Sequence, residues 1–552
     1  MVMARRQEWV RERVVRSRSI ALIVSVPVVL VAFIFFIFVL APASDNDDAG
    51  TDRSRNGIGA HSRSSAHGGL SGHAALSGGG VSIGGRSKHA IKMVVGSGNG
   101  GAEGEGDRYA VVIDAGKAES SSVHVYRFDS RMELGGIQGN FEVVESVKPG
   151  LASYHDDPKA AADSVRPLMK KALKAVPELT RPVTPILVRA SATLRQLPGD
   201  MAYQILREIR LMLTEFPFPY SHDDVSTLEG GDEGCFAWTA VNYLLGNFGD
   251  RLGNHLGSTV AVVDLGDTSA QVAYAVPADV ADKAPAGHVR RLSVMGTTYH
   301  VRVHSLQGYG LMAGRAAVLR ASNDTQGHPC MHMGFKGRFE HNNELTAASA
   351  RPAGGSAALC KALVLQHIRT VAAAAAGTAA AANDAPAAAG GVVDAGSAAA
   401  SEAGCSRGAG CLPAGVGSGG GRGEGALRVV ITSYFPDRAQ QFGLIPHNGM
   451  HNAATTAFIP AHDFARVAEE ACATPLKEVT RNFPHVGALD APYVCLDANY
   501  LFHLLTSGLG VDPSAPLTAV KQIAYEGRGV GVAWPLGAAF DAANHAAIHA
   551  VF

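Results

Sequence analysis

The sequence predicts an α/β fold with a mixed sheet in each half. Two observations predict it: helix-period segments alternate with short apolar strands, and one strand-pair device occurs twice. Tyr109-Ala110-Val111-Val112-Ile113-Asp114-Ala115-Gly116 is an apolar run ending in Asp-x-Gly, and Thr259-Val260-Ala261-Val262-Val263-Asp264-Leu265-Gly266 builds it again. Each returns through a polar turn to a second apolar stretch, Ser122-Val123-His124-Val125-Tyr126 in one and Gln271-Val272-Ala273-Tyr274 in the other. β-Branched flanks around a short turn read as a hairpin. A Rossmann or P-loop site would run from the strand into a helix instead.

Ahead of the first hairpin, residues 1–18 form a basic tail, with Arg5, Arg6, Arg11, Arg13, Arg16 and Arg18 against Glu8 and Glu12. Residues 19–44 carry no charge, and as a helix would extend roughly 39 Å, enough to cross a ~30 Å hydrocarbon layer. That run is longer than the apolar core of a signal peptide, so a retained single-span anchor is expected, with a cleaved signal peptide as the alternative. The arginines favour a cytosolic N-terminus, which makes the chain a type II membrane protein with its bulk lumenal or outside the cell. Residues 45–107 are rich in Gly, Ser and His and read as a flexible stalk, with His61, His67, His73 and His89 solvated.

The chain has 552 residues, enough for a large core in two domains, and a net charge of −1, which gives no general attraction to nucleic acid or anionic lipid. No nucleic-acid partner is expected. A second low-complexity tract, about 372–425, is rich in Ala and Gly and reads as a surface insertion. Between these tracts, residues 163–176, 203–213, 242–248 and 500–505 have helical periodicity, and Pro185-Ile186-Leu187-Val188 is a short buried strand. The expected partition is 108–227 plus 512–552 as lobe I and 228–511 as lobe II.

Seven cysteines fit an oxidising compartment. Cys330, Cys360, Cys405, Cys411, Cys472 and Cys495 allow three bridges, of which only Cys472–Cys495 is expected as a specific pair. His328, Cys330 and His332 could hold zinc, but this compartment favours a disulfide cysteine beside incidental histidines. His545 and His549 lack the glutamate a zinc protease needs and read as helix surface. Asn323 opens an Asn-x-Thr sequon.

Four segments offer chemistry. Two hairpins facing each other could hold a polyphosphate between loop N–H groups, with Asp114 and Asp264 directing a hydrated divalent cation. Between them, Leu228-Glu229-Gly230-Gly231-Asp232-Glu233-Gly234-Cys235 sets an acidic pair among glycines ahead of an apolar helix, and a carboxylate there could act as general base on water. Ala190-Ser191-Ala192-Thr193-Leu194-Arg195 follows the buried strand and offers hydroxyls and one arginine to phosphate oxygens.

These residues, in this order, resemble the apyrase family of nucleoside triphosphate and diphosphate hydrolases, with plant-type apyrases the most similar branch. Further matching segments are Lys148-Pro149-Gly150-Leu151-Ala152-Ser153-Tyr154, WTAVNYLLG at 238–246, HSLQGYGL at 304–311, CLDANYLFHLLTSG at 495–508 and AWPLG at 533–537. The resemblance implies two ribonuclease-H-like lobes of the actin and sugar-kinase superfamily, with a nucleoside di- or triphosphate in the cleft between them. It implies that Glu233 is the base activating water and that Gln271 lies near that water. Asp114 and Asp264 match the aspartates that hold the waters of Ca2+ or Mg2+. Ser191 and Arg195 organise metal water and phosphate, Gly116, Lys117, Ser120, Gly266, Asp267, Thr268 and Ser269 line the phosphate loops, and Tyr434 in Ile431-Thr432-Ser433-Tyr434-Phe435-Pro436 falls on an aromatic-rich strand where it could stack on a nucleobase. Phe435 is the other aromatic there. The Golgi membrane is the first expected location, the plasma membrane the second.

Both phosphate loops depart from the family pattern. The first lacks its second glycine and its arginine, and the second has Asp267 and Thr268 where the family has glycine or alanine; Thr193 also replaces a glycine. Glycine permits close backbone approach and positive φ, and Asp267 adds negative charge where a terminal phosphate would rest. Lys117 could offset that charge, or Asp267 could bind the metal itself. Two readings follow: an active nucleotide phosphatase, or a degenerate relative that binds nucleotide or a partner with little turnover.

Overall fold

The computed structural model describes residues 106–115, 120–190, 194, 197–248, 256–284, 287–294, 296–322, 324–341, 344–383, 428–446 and 456–549. The expected anchor and most of the stalk, Asn323, Cys405, Cys411, Gly116, Lys117, Ser191 and Arg195 lie outside those residues.

The first sheet holds β1 (Arg108–Ala115), β2 (Ser121–Phe128), β3 (Leu134–Gly135), β4 (Val143–Val147), β5 (Ile186–Ala190) and β6 (Val225–Thr227), in the order β3-β2-β1-β5-β6 with β4 also on β2. The second holds β7 (Ala261–Leu265), β8 (Ser269–Val276), β9 (Val289–Val294), β10 (Thr297–Gln307), β13 (Val429–Ser433), β14 (Thr456–Pro460) and β15 (Pro516–Val520), in the order β14-β15-β13-β7-β8-β10-β9. A small separate hairpin pairs β11 (Arg338–His341) with β12 (Glu344–Ala347).

Both sheets are mixed, and the same arrangement recurs at the centre of each. β1 is antiparallel to β2 and parallel to β5, and β7 is antiparallel to β8 and parallel to β13. The register sets Asp114 opposite Ser122 and Arg189, and Asp264 opposite Gln271 and Thr432. Both strand pairs are the hairpins expected from the Asp-x-Gly devices.

The helices that matter for the site are α1 (Pro158–Ala175), α2 (Met201–Leu213), α3 (Gly230–Leu244), α4 (Leu311–Ala321), α5 (Ala357–Asn383), α6 (Tyr434–Gln441), α7 (His462–Ala473), α8 (Val494–His503) and α9 (Trp534–His549). Apolar residues alternate through β1 to both of its faces. Tyr109, Val111 and Ile113 pack with α1 and α2, while Ala110 and Val112 join α3, α9 and one face of the second sheet. That two-sided burial explains why both central strands read as continuous apolar runs. The other face of the second sheet is covered by α4, α5, α7 and α8. An 18-residue stretch of α5 is apolar enough to cross a membrane, but Cys360, Val364 and Ile368 anchor it in the core.

The expected segments 163–176, 203–213 and the strand at Ile186 coincide with α1, α2 and β5. Other readings gain detail or need correction. Residues 242–244 are the last turn of α3 rather than the start of a separate helix. Periodicity at 500–505 begins earlier, with α8, and continues into a π turn at Leu504–Gly508. Strand β15 pairs with β13 and β14, so residues 516–520 belong to the second sheet rather than to lobe I. Alanine's helix propensity carries α5 to Asn383, so the first part of the Ala-rich tract is helix, and the rest lies outside the described residues. The expected Cys472–Cys495 disulfide is present, and Cys330 pairs with Cys360. His328 and His332 are buried and bonded to the carbonyls of Val318 and Thr474.

Candidate active site

Three glycines decide where α3 sits. A Cβ on Gly230 would lie 1.9 Å from Ser305 Oγ, and one on Gly234 would lie 2.4 Å from Val303 Cγ1 and 3.2 Å from Gln271 Cβ. Gly231 would meet Arg290 at 2.8 Å. The first turn of α3 therefore rests directly on β8 and β10, where no side chain fits. Its other end of entry is fixed to the first sheet, since Leu228 N–H donates to Ala190 O at 2.6 Å.

That seating separates the acidic pair. Arg290 Nε donates to Asp232 at 2.6 Å, leaving Asp232 in an ion pair. Glu233 turns to the sheet, where Gln271 Nε2 donates to Glu233 Oε2 at 2.9 Å and to Ser269 Oγ at 2.8 Å. Because the carboxylate can only accept, the amide nitrogen faces it and Gln271 Oε1 faces elsewhere. That oxygen is buried without a hydrogen-bond partner, on a side chain only 1 % exposed. The Ser269–Gln271–Glu233 chain fixes the carboxylate at the sheet through the Gln271 amide N–H.

Asp264 closes the other side. Its Oδ1 accepts from Thr432 Oγ1 at 2.6 Å and from Ser433 Oγ at 2.5 Å. Burial raises its pKa, and the two hydroxyls only partly oppose that shift. A desolvated carboxylate with Oδ2 free of these hydroxyl bonds suits a hydrated divalent cation, whose charge would offset the burial. Among the described residues no group of three or more His, Cys, Asp or Glu side chains could cage a metal. The all-oxygen donors at Asp264, Thr432 and Ser433 fit a hard cation such as Ca2+ or Mg2+. Asp114, 6 % exposed, occupies the equivalent position at the end of β1. Ser120 stands half-buried at the start of the return strand.

The second loop is packed by its carbonyls. Gly266 O accepts from Leu311 N, Asp267 O from Met312 N and Ala313 N, all at 3.0 Å, and Thr268 O from Gly308 N at 2.9 Å. These satisfy the orphan N–H groups at the start of α4. Neither Gly266 nor Asp267 takes a positive φ, so replacing the family's glycine at 267 costs no backbone strain. The expectation that glycine was needed there for its dihedral freedom is overturned.

Tyr434 also differs from expectation. β13 stops at Ser433, which takes φ 60° and ψ −117°, and Tyr434 opens α6 instead of continuing a strand. Its hydroxyl donates to Asp267 Oδ1, and its ring lies 5.6 Å below Arg438. Phe435 is fully buried beside Phe464 and is unavailable to a base. Thr432, Ser433 and Arg290 were not singled out by the sequence reading. Thr432 and Ser433 carried one signal, two adjacent hydroxyls closing an apolar strand; Arg290 carried none.

Two mixed sheets, each with an Asp-bearing hairpin at its centre, and a glutamate-bearing helix seated on the second sheet are compatible with the nucleoside phosphatase class. The GDA1/CD39 (nucleoside phosphatase) family model matches residues 101–387 and 405–550, and the chain belongs to that family. It is 34% identical to probable apyrase 1 of Oryza sativa subsp. japonica over 444 residues, covering 79% of this chain and 82% of that protein. It is 33% identical to an apyrase of Solanum tuberosum, covering 79% of this chain and 88% of the relative. A solved structure of nucleoside triphosphate hydrolases from Neospora caninum covers 78% of this chain and 92% of its own, at 15% identity and a TM-score of 0.46.

Proposed function

We propose that the chain hydrolyses nucleoside tri- or diphosphates to the monophosphate and phosphate, with Ca2+ or Mg2+, in the secretory lumen or outside the cell. The Gln271 amide gripping Glu233 beside the Asp264 hairpin carries this reading, because it orients the carboxylate that would take a proton from water. Glu233 takes the proton as water attacks the terminal phosphorus, and Gln271 holds the Glu233 carboxylate in place through its amide N–H. Ser269 steadies the Gln271 amide. Asp114 and Asp264 supply oxygen donors on either side of the phosphates, with Thr432 and Ser433 fixing the Asp264 carboxylate. When bound, the cation neutralises charge on the phosphate oxygens. By the family resemblance, Gly116, Lys117, Ser120, Ser191 and Arg195 would supply the remaining phosphate contacts.

The anchor at 19–44 makes this a type II membrane protein of the Golgi or, second, of the plasma membrane. The Cys330–Cys360 and Cys472–Cys495 disulfides support an oxidising compartment. The second reading, nucleotide binding without turnover, is favoured by Asp267 in the loop.

Phosphate release from ATP, ADP, GDP and UDP by the purified chain, with Ca2+ or Mg2+, separates the two. Metal-dependent release that is abolished in Glu233→Ala supports hydrolysis. Nucleotide binding with no release from any of the four leaves only the second reading.

A further inference from the structure

We propose that Tyr434 is a positioning residue that holds the Asp267 carboxylate away from the bound phosphate, so that the altered loop still accepts a nucleotide. The inference rests on the phosphatase reading above and concerns its second loop.

The loop backbone is fixed first. With the carbonyls of Gly266 and Asp267 drawn to the start of α4, the planar trans peptide turns the N–H groups of Asp267 and Thr268 the opposite way. Gly310 enforces this contact, since a Cβ there would lie 2.4 Å from the carbonyl carbon and oxygen of Asp267. The backbone donors a phosphate would use are therefore set independently of the residue type at 267. What the substitution adds is only a negative side chain.

That side chain is taken up by Tyr434. The tyrosine is itself held in place: Arg438 lies over its ring, and Arg438 donates to Asp490 at 2.8 and 3.0 Å. Arg438 Nε also stands 3.0 Å from Asp497 as an ion-pair contact without hydrogen-bond alignment. Arg315, 3 % exposed, donates to Asp497 at 2.6 and 2.5 Å and to Asp490 at 3.0 Å, completing a four-charge network beneath the site. Burial and the neighbouring Asp267 both push the Tyr434 hydroxyl up, which keeps it a donor at any physiological pH.

The two residues before it grip Asp264. A single turn, Thr432-Ser433-Tyr434, thus holds both acidic side chains of the loop, one for the cation and one out of its way. Ser433 in the left-handed region, uncommon for a non-glycine residue, is where the chain bends to bring all three hydroxyls to bear.

The test is a binding cycle in the Glu233→Ala background, with Mg2+ and ADP as the probe. Tyr434→Phe keeps the ring and its contact with Arg438 but releases the carboxylate. ADP should bind between about fivefold and about a thousandfold more weakly, the range for a unit charge brought to ~4 Å under strong or weak screening. Adding Asp267→Asn should return binding to within about twofold of the background protein, a rescue that a merely structural role for the tyrosine would not give. Asp267→Glu, which overreaches the hydroxyl while leaving Tyr434 intact, should weaken ADP binding in the same direction and serves if Tyr434→Phe fails to fold. Unchanged binding in Tyr434→Phe, or a double variant as weak as the single one, overturns the proposal and leaves the phosphatase reading standing. Absence of any ADP binding in the Glu233→Ala background overturns both.

Discussion

Replacing Gly234 by alanine tests whether helix seating is what places the base. The added Cβ would lie 2.4 Å from Val303 Cγ1, where ordinary van der Waals contact starts near 3.4 Å, so α3 must lift by about 1 Å. Glu233 is the preceding residue and moves with it. Its 2.9 Å contact with Gln271 Nε2 would stretch to about 3.9 Å, past hydrogen-bond range. Overpacking costs about 1–3 kcal/mol of stability, and a 1 Å displacement of a reacting group lowers turnover by about a hundredfold. Steady-state phosphate release should therefore show a collapse in kcat with a modest change in KM, while calorimetry shows a protein that still unfolds cooperatively. Gly234→Ala with Val303→Ala removes the clashing methyl, roughly conserves volume, and should recover most of the lost kcat. A single variant with kcat within twofold of the parent would refute the reasoning, because the fit of α3 on β10 would then not govern Glu233.

Two further outcomes follow from groups away from the reaction. Burial alone would raise the Asp490 carboxyl, but Arg438 and Arg315 overcome it and hold the group at about 2. A depressed carboxylate stabilises the fold above its unfolded pKa near 4 and loses that contribution as pH falls through about 2, so Asp490→Asn should cost about 2 kcal/mol at pH 7 and a difference shrinking to nothing near pH 2, read by denaturant melts across pH. The Cys330–Cys360 bridge closes a separation of 30 residues, and Cys330→Ser with Cys360→Ser should lower stability by about 3.5 kcal/mol, seen as a fall in Tm that reductant no longer deepens through this bridge.

Both hairpins were legible because their strands are buried on two faces and bounded by short polar turns, a local pattern. The helices over 163–176 and 203–213 were legible for the same reason, as apolar stripes at helical spacing. β15 was misplaced because its parallel partner β13 lies far away in sequence, and nothing within residues 516–520 names that partner. Tyr434 was read as a base-stacking aromatic because the strand before it gave no sign of stopping; the stop is the positive φ of Ser433, a conformation no propensity predicts for serine. Asp267 was read by charge alone, which cannot reveal a hydroxyl waiting 167 positions later. The contact of Glu233 with Gln271 rested on family likeness at the sequence level, and its physical cause, the bare faces of Gly230 and Gly234 against the second sheet, needed the coordinates.

Helix α9 covers β1 and α3 so closely that a Cβ on Gly537 would lie 1.9 Å from Phe236 O, with Ala539 and Ala543 fully buried in the same contact. During synthesis that cover arrives late. At roughly 5–20 residues per second the ribosome needs roughly 20–85 s to travel from β1 to α9. Through that interval the part of the first hairpin that α9 covers stays exposed, so truncation before Trp534 should be a defect of maturation rather than of chemistry, read as loss of folded protein.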